Sequence, residues 1–212
     1  MLKVNEIYLS VQGESSKAGL PCVFVRLTYC NLRCTYCDSE YSFYEGTEFS
    51  NEQILDEIKK FDCNLVEITG GEPLFQKESL ELMKNLCDSG FSVMLETSGS
   101  LPIKDVDSRI MIIMDLKCPS SKMTKKNLYE NIEFLKPTDE LKFVIGDYED
   151  YQWAKKIISK YNIENRCQIL FSPVFGKIEP KEIVNWILKD KLKVRFQLQM
   201  HKHIWEPTAK GV

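Results

Sequence analysis

The chain has 212 residues, of which 43% are hydrophobic and 28% are charged, a balance typical of a soluble globular protein. The formal net charge is -3, which argues against a broad nucleic-acid-binding surface. No run approaches the roughly 20 apolar residues of a membrane span, and the amino terminus lacks the apolar core of a signal peptide. We therefore expect one domain over residues 1–212 that is cytoplasmic and binds neither nucleic acid nor membrane.

Strand-like and helix-like runs alternate along the chain. The predicted strands are Glu6–Ser10, Val23–Thr28, Leu65–Thr69, Phe91–Glu96, Ile110–Leu116, Leu141–Ile145, Gln168–Phe171 and Val194–Leu198. Helices are expected near Glu78–Asp88, Glu149–Lys160 and Pro180–Lys189, and a further helix begins at the capping-box pair Ser50 and Gln53. Continuously apolar strands that alternate with helices indicate an α/β fold with a mostly parallel sheet.

Polar motifs follow several of these strands directly. They are Cys30–Cys37, Gly70–Glu72, Thr97–Gly99 and Lys117. Loops at the carboxyl ends of parallel strands are where α/β folds build their active sites. A doubly wound sheet and an incomplete barrel both fit the pattern, whereas a closed eightfold barrel usually needs about 250 residues. We predict an incomplete TIM-like barrel of mostly parallel strands.

Three of the eight cysteines lie in one loop, with the spacing C-x3-C-x2-C at Cys30, Cys34 and Cys37. The other five stand singly, mostly among apolar neighbours, and we expect them to be small core residues. A closed zinc site needs four ligands, and a redox dithiol would use only the last two cysteines of the loop. A four-iron cluster held by three thiolates would instead leave one iron open for another ligand.

This spacing, with Tyr36 before the last cysteine, resembles the radical S-adenosylmethionine (SAM) superfamily, as does the segment Gly70–Pro73. The resemblance implies a 4Fe-4S cluster on the three cysteines, with SAM bound at the open iron. It also implies an external electron donor, because an electron from the cluster cleaves SAM to a 5′-deoxyadenosyl radical. The cofactors carry out the difficult chemistry, and the protein orients them. We therefore expect no catalytic side chain.

Further segments resemble the 7-carboxy-7-deazaguanine synthases within this superfamily. They are Val11–Glu14, Val23–Leu27, Cys37–Ser39, Gln199–Trp205 and Lys210–Val212. The resemblance implies a lyase that converts 6-carboxy-5,6,7,8-tetrahydropterin to 7-carboxy-7-deazaguanine with loss of ammonia, in queuosine and deazapurine biosynthesis. It also implies hydrogen abstraction at C6, regeneration of SAM, use of Mg2+ and a homodimer.

The resemblance assigns roles to individual residues. Substrate contacts fall on Val11, Gln12, Gly13, Glu14, Arg26, Thr69 and Val212, the last through its terminal carboxylate. SAM contacts fall on Tyr36, Asp38, Gly71, Glu72, Asp115, Leu116 and Lys117. The resemblance assigns Ser39 as a ligand of Mg2+. The family often has threonine at this position, so the hydroxyl group is retained. The chain also departs from the family in a SAM-binding segment, where many relatives have Ser-Pro-Lys and this chain has Asp115-Leu116-Lys117. Lys117 retains the positive charge, and Asp115 could contact the ribose hydroxyls of SAM.

The residue types suit a carboxylated pterin. Arginine offers a planar fork to a carboxylate, and the alternation of Val23–Thr28 places Arg26 on the face that leads toward the cysteine loop. An exposed arginine on an edge strand is the plainer alternative. Gln12 and Glu14 offer the donors and acceptors that the edge of an aminopyrimidinone ring needs.

Two other functions remain open from the sequence. A glycyl-radical activase of the same superfamily would share the cysteine loop but would not need Gln12, Glu14 and Arg26 together. A non-catalytic iron–sulfur or zinc module would need only the cysteines. A four-iron spectrum that changes when SAM is added would exclude the zinc module.

Overall fold

A computed structural model describes residues 1–212. The strands are β1 Leu2–Val11, β2 Pro21–Leu27, β3 Thr47–Phe49, β4 Leu65–Gly70, β5 Ser92–Thr97, β6 Met111–Asp115, β7 Glu140–Ile145, β8 Gln168–Pro173 and β9 Arg195–Phe196. The helices are α1 Asn51–Lys59, α2 Ser79–Asp88, α3 Tyr148–Lys160, α4 Pro180–Asp190 and the short α5 His201–Ile204. None of the helices is long and apolar enough to span a membrane.

All nine strands form one sheet in the order β3-β1-β2-β4-β5-β6-β7-β8-β9. The pairs from β2 to β9 are parallel, whereas β1 is antiparallel to both β2 and β3. The edge strands β3 and β9 do not pair with each other, so the sheet is open. This architecture confirms the predicted α/β fold with an incomplete barrel.

Alternation along the strands gives the sheet two different faces. The helix face carries aliphatic and aromatic side chains that pack with α1–α4 into the main core; they include Val23, Val25, Leu27, Val66, Ile68, Val93, Leu95, Ile112, Met114, Leu141, Phe143, Ile145, Ile169 and Phe171. The residues between them point to the opposite side. There the strands carry Phe24, Arg26, Glu67, Thr69, Glu96, Asp115 and Lys142, which line a cavity. We call this side the cavity face.

The element boundaries differ from the sequence prediction mainly at the two ends of the sheet. Strand β1 begins at Leu2 rather than Glu6, and the short strand β3, which the prediction lacked, pairs with this extension. At the other edge β9 covers only Arg195–Phe196 of the predicted Val194–Leu198. Short edge strands have partners on one side only, so local propensity defines their ends poorly.

Helix α1 begins where the sequence predicted, because its capping box is formed. The Ser50 hydroxyl accepts a hydrogen bond from the Gln53 backbone N–H, and the Gln53 side-chain oxygen accepts one from the Ser50 N–H. These bonds satisfy donors that the first turn of a helix leaves free. The apolar side of α1 then buries Ile54 and Ile58 against the sheet.

We expect Ser50→Ala to lower the free energy of unfolding by about 1 kcal/mol, because alanine cannot accept the bond from Gln53. Ser50→Asn is the matched control, since asparagine caps helices as well as serine does. Urea unfolding followed by circular dichroism measures both. Equal midpoints for Ser50→Ala and the unmodified chain would contradict this account of the cap.

Candidate active site

The cysteine loop leaves the carboxyl end of β2 and borders the cavity, which has a volume of about 750 Å3. Cys30, Cys34 and Cys37 all line it, and none of them forms a disulfide. The Leu32 backbone N–H donates to the Cys30 Sγ over 3.4 Å. Burial raises the pKa of Cys34 to about 11, although the Lys117 ammonium opposes this effect. Such a thiol ionises when a metal binds it.

The three thiols do not form a site for a single ion. No group of three or more histidine, cysteine, aspartate or glutamate side chains converges as the ligands of one metal would. A four-iron cube does not need that convergence, because each cysteine binds a different iron. The donor set of three unpaired thiols beside an open cavity therefore fits a cluster with one free iron.

Gly70 and Gly71 hold the end of β4 against the start of the cysteine loop. A β-carbon on Gly70 would overlap the Leu27 backbone, and one on Gly71 would overlap the Tyr29 carbonyl oxygen and lie 2.7 Å from the Cys30 Cβ. The Gly71 N–H donates to the Leu27 carbonyl over 3.2 Å. The two glycines therefore allow close approach of the loop that carries the cysteines.

Glu72 is fully buried and does not line the cavity. Its carboxylate accepts hydrogen bonds from the Thr97 hydroxyl over 2.8 Å, from the Ser98 N–H over 2.8 Å and from the Ser98 hydroxyl. These bonds join the loop after β4 to the loop after β5. The predicted contact between Glu72 and SAM stays a prediction, and the observed role of this carboxylate is to connect two loops of the site.

Most residues that the sequence assigned to the site lie around one cavity. Its lining includes Val11, Gln12, Gly13, Glu14, Arg26, Cys30, Cys34, Tyr36, Cys37, Asp38, Ser39, Thr69, Gly71, Asp115, Lys117 and Val212. Glu72 and Leu116 are the two that do not line it. The Leu116 side chain is fully buried in the apolar core. The fold thus gathers segments that are up to two hundred residues apart along the chain.

Arg26 lies on β2 between β1 and β4, so it is not on an edge strand. Its Nε donates to Glu6 Oε1 over 2.7 Å and its Nη2 donates to the Tyr8 hydroxyl over 2.8 Å. Nη1 has no protein partner, and Thr69 is the residue paired with Arg26 on β4. The alternative of an exposed surface arginine is wrong, because the side chain is mostly buried in the cavity wall.

Glu14 is held by three side chains that converge on its carboxylate. Lys142 and Gln197 donate to Oε2 over 2.9 and 3.2 Å, and Gln199 donates to Oε1 over 2.9 Å. The side chain of Gln12 is also used inside the protein, since its oxygen accepts the Glu14 N–H. Direct contact between these two side chains and a substrate stays a prediction.

Sequence reasoning missed three charged residues of the cavity face, Glu67, Glu96 and Lys142. The Lys142 ammonium is buried and pairs with both Glu14 and Glu96, and it lies 3.9 Å from Asp115. Burial alone would lower the pKa of Lys142, but the charges of Glu14 and Glu96 outweigh it and raise the pKa. The sequence did contain a signal for these residues, because each is a charged residue inside a mostly apolar strand. A charge buried in such a strand requires a partner, so the three could have been expected to pair.

Two buried polar atoms beside the cysteine loop have no hydrogen-bond partner. They are the Tyr36 hydroxyl oxygen and Asp115 Oδ1, and both residues line the cavity. The other oxygen of Asp115 accepts from the Lys117 ammonium over 2.9 Å. A buried polar atom without a partner is unfavourable unless a ligand supplies one. The two atoms could form hydrogen bonds with a polar ligand next to the cluster, such as the ribose of SAM with its hydroxyl groups.

Helix α5 and the residues after it cover the other side of the cavity. Lys202 on α5 donates to Asp38 in the cysteine loop over 2.6 Å. Burial would raise the pKa of Asp38, but the Lys202 charge and hydrogen bonds from Lys202 and Gln199 lower it to about 2. The ring of His201 fills the space where a β-carbon on Gly13 would lie. Thr208–Val212 then lie along the cavity wall.

The open α/β sheet and its three-cysteine loop define the class, which is that of radical SAM enzymes. The Radical SAM superfamily matches residues 24–187 of the chain. The crystal structure of QueE from Escherichia coli is similar in fold, with a TM-score of 0.78, 21% identity and 94% of each chain covered. The crystal structure of archaeal TYW1 covers 83% of this chain and 73% of its own, with a TM-score of 0.60 and 14% identity.

Curated relatives define the family more narrowly. A 7-carboxy-7-deazaguanine synthase of Koribacter versatilis is 45% identical over the full length of both chains. One of Chlorobaculum tepidum is 44% identical, over 100% of this chain and 97% of its own. The chain belongs to the family of 7-carboxy-7-deazaguanine synthases. This finding confirms the resemblance seen in the sequence and sets aside the activase and the non-catalytic module.

We expect Gly71→Ala to reduce iron content after anaerobic reconstitution, because the added methyl group displaces the backbone at Tyr29 and Cys30. Overpacking of this kind costs about 1–3 kcal/mol. Gly90→Ala is the control: its φ of 89° makes alanine strained, but its β-carbon meets open space far from the loop. It should lose stability and keep its iron. Normal iron content in Gly71→Ala would show that the loop tolerates the displacement.

Proposed function

We propose that the chain converts 6-carboxy-5,6,7,8-tetrahydropterin to 7-carboxy-7-deazaguanine with release of ammonia. Full-length identity to synthases of that name supports this reaction. The structural observation that carries the proposal is the cavity itself. Its lining includes Arg26, whose Nη1 has no protein partner, and the partnered carboxylates of Glu14 and Glu96, together with three unpaired thiols. A carboxylated, polar heterocycle matches such a lining.

The proposed roles of the lining residues divide the cavity into a substrate part and a cofactor part. Arg26 and Thr69, adjacent on β2 and β4, form the part that suits the substrate carboxylate. Tyr8 stacks on Phe24 with ring centroids 5.1 Å apart, which gives the same wall an aromatic surface. Glu14, Glu96 and Lys142 offer fixed charges for the polar edge of a pterin. Because Lys142 pairs with both carboxylates, their oxygens are oriented before a substrate binds.

The cofactor part lies at the cysteine loop. Cys30, Cys34 and Cys37 would hold the 4Fe-4S cluster, while Tyr36 and Asp115 would bind SAM through the atoms that lack partners. Gly71, Asp38 and Lys117 line the same cavity. When bound, these cofactors supply radical chemistry that side chains cannot perform. The covering segment of α5 and Thr208–Val212 lines the same cavity.

Ser39 is the proposed protein ligand for Mg2+. Ser39 lines the cavity, and its hydroxyl lies 3.8 Å from the Cys37 Sγ. Magnesium prefers six oxygen ligands and keeps several waters. One serine therefore suffices as an anchor only if water and substrate oxygens complete the shell. A carboxylated pterin has such oxygens.

An anaerobic assay tests the reaction. Reconstituted protein, reduced with dithionite, should form 7-carboxy-7-deazaguanine from the tetrahydropterin when SAM and Mg2+ are present, as detected by mass spectrometry. Cys34→Ala should form no product, because the two thiolates that remain are not enough to hold the cluster. Reductive cleavage of SAM without any deazapurine product would refute this substrate and leave the radical SAM class intact.

We expect Arg26→Lys to raise KM for the substrate about 10- to 100-fold, with a smaller effect on kcat. Lysine keeps the charge but loses the planar fork, and a hydrogen bond to a charged group contributes about 1.5–3 kcal/mol. Arg109→Lys is the matched control, because Arg109 is half exposed, lies outside the cavity and pairs with Asp88 and Asp107. An unchanged KM in Arg26→Lys would remove Arg26 from the substrate site.

We further propose that the protein acts in the cytoplasm, takes electrons from an external donor and forms a homodimer. The location rests on the composition and the dimer on the family resemblance. Val212 is proposed to contact the substrate, since the residue lies in the cavity wall.

A further inference from the structure

Glu67 is a buried carboxyl that the proposed binding roles do not use. It lies on β4, two residues before Thr69, with 2% of its surface exposed. None of the ion pairs in the structure includes Glu67. A buried carboxylate without a cation partner is strongly disfavoured, so this group requires a different explanation.

The neighbours of Glu67 indicate its protonation state. The side-chain amide of Gln12 donates a hydrogen bond to Oε2 of Glu67. Glu96 lies on the neighbouring strand β5, two residues beyond Met94, which is the strand partner of Glu67. Both glutamates project from the same face of the sheet and line the cavity, so their carboxyl groups are within hydrogen-bonding reach of each other. Two carboxyl groups can share a hydrogen bond only if one of them carries a proton. Because Lys142 forms its ion pair with Glu96, the ionised member is Glu96 and the proton resides on Glu67.

The other titratable groups around Glu67 agree with this assignment. They come from five elements: Tyr8 on β1, Glu14 after β1, Cys22 on β2, Glu96 on β5 and Lys142 on β7. Lys142 is the one cation among them, and it already pairs with Glu14 and Glu96. Burial first and the charge of Glu96 second raise the pKa of Glu67 well above its ordinary value.

We propose that Glu67 is a neutral carboxylic acid whose O–H donates to the Glu96 carboxylate and thereby fixes Glu96 toward the substrate cavity. Glu67 is then a positioning residue, since it acts through Glu96. Lys142 holds Glu96 from β7 and Glu67 holds it from β4, so the carboxylate is oriented from two sides. The partly exposed side chain of Glu96 remains the group that faces the cavity. The inference rests on the proposed function for its substrate.

Two substitutions at Glu67 separate a neutral donor from a required charge. Glu67→Gln resembles the protonated acid, because its amide N–H can donate to Glu96. It should retain kcat/KM within about threefold at neutral pH, whereas Glu67→Leu, which has no donor, should lose about 10- to 100-fold. Glu133→Gln, an exposed glutamate, is the control for the change of charge. If Glu67→Gln is as impaired as Glu67→Leu, the proposal is wrong.

The pH profile gives a readout that a purely structural role would not change. The working form of Glu67 is protonated, so activity is present below its raised pKa and declines as pH rises through it. Above that pH two adjacent carboxylates would repel each other. Glu67→Gln cannot ionise, and its alkaline limb should therefore extend to higher pH. Superimposable profiles for the two proteins would overturn the proposal.

Infrared spectroscopy tests the proton directly and does not depend on turnover. The reconstituted wild-type protein should show the C=O stretching band of a buried protonated carboxylic acid, and Glu67→Gln should lack it. Absence of that band in an active wild-type protein refutes the inference alone. A band that is present, in a protein that forms no deazapurine, supports the neutral acid and refutes the proposed reaction. The two failures are thus distinguishable.

Discussion

The parallel pairing of β2 with β4 is the constraint on which the site depends. Gly70 and Gly71 allow the end of β4 to approach the backbone of Leu27 and Tyr29 more closely than any residue with a β-carbon would. This contact fixes the start of the cysteine loop, and Glu72 then connects the same corner to the loop after β5. The pairing also brings Arg26 beside Thr69. The cysteine loop and the pair Arg26 and Thr69 are therefore positioned by one strand junction.

The two faces of the sheet carry out different physical tasks. Apolar side chains on the helix face bury enough surface against α1–α4 to stabilise the domain. The cavity face can therefore accommodate buried charges, which are costly unless they are paired. Lys142 reduces that cost for Glu14 and Glu96, and Lys117 does so for Asp115. Two of the buried atoms still without partners, the Tyr36 hydroxyl oxygen and Asp115 Oδ1, belong to residues that line the cavity.

The segment after β9 completes the cavity, and it is held there by hydrogen bonds and an ion pair. Met200 donates its N–H to the Gly13 carbonyl over 2.9 Å, His201 packs on Gly13, and Lys202 pairs with Asp38. A cover held by ion pairs and hydrogen bonds can open at a smaller cost than one held by a large apolar interface. Asp38 joins this cover to the cysteine loop through hydrogen bonds that it accepts from Lys202 and Gln199.

The class of the protein and many of the residues that line the cavity could be predicted from local patterns in the amino-acid sequence. Cysteine spacing identified the cluster loop, strand alternation placed Arg26 on the correct face, and the Ser50 capping box marked the start of α1. These three features could be predicted because each depends on residues that are close together along the chain. The three-dimensional fold was needed to see that Gly71 packs on the cysteine loop and that Glu72 joins two loops. It was also needed to see that Glu67, Glu96 and Lys142 line the same cavity. Those relations join residues on different strands, and no local periodicity encodes which strands become neighbours or which buried charges pair.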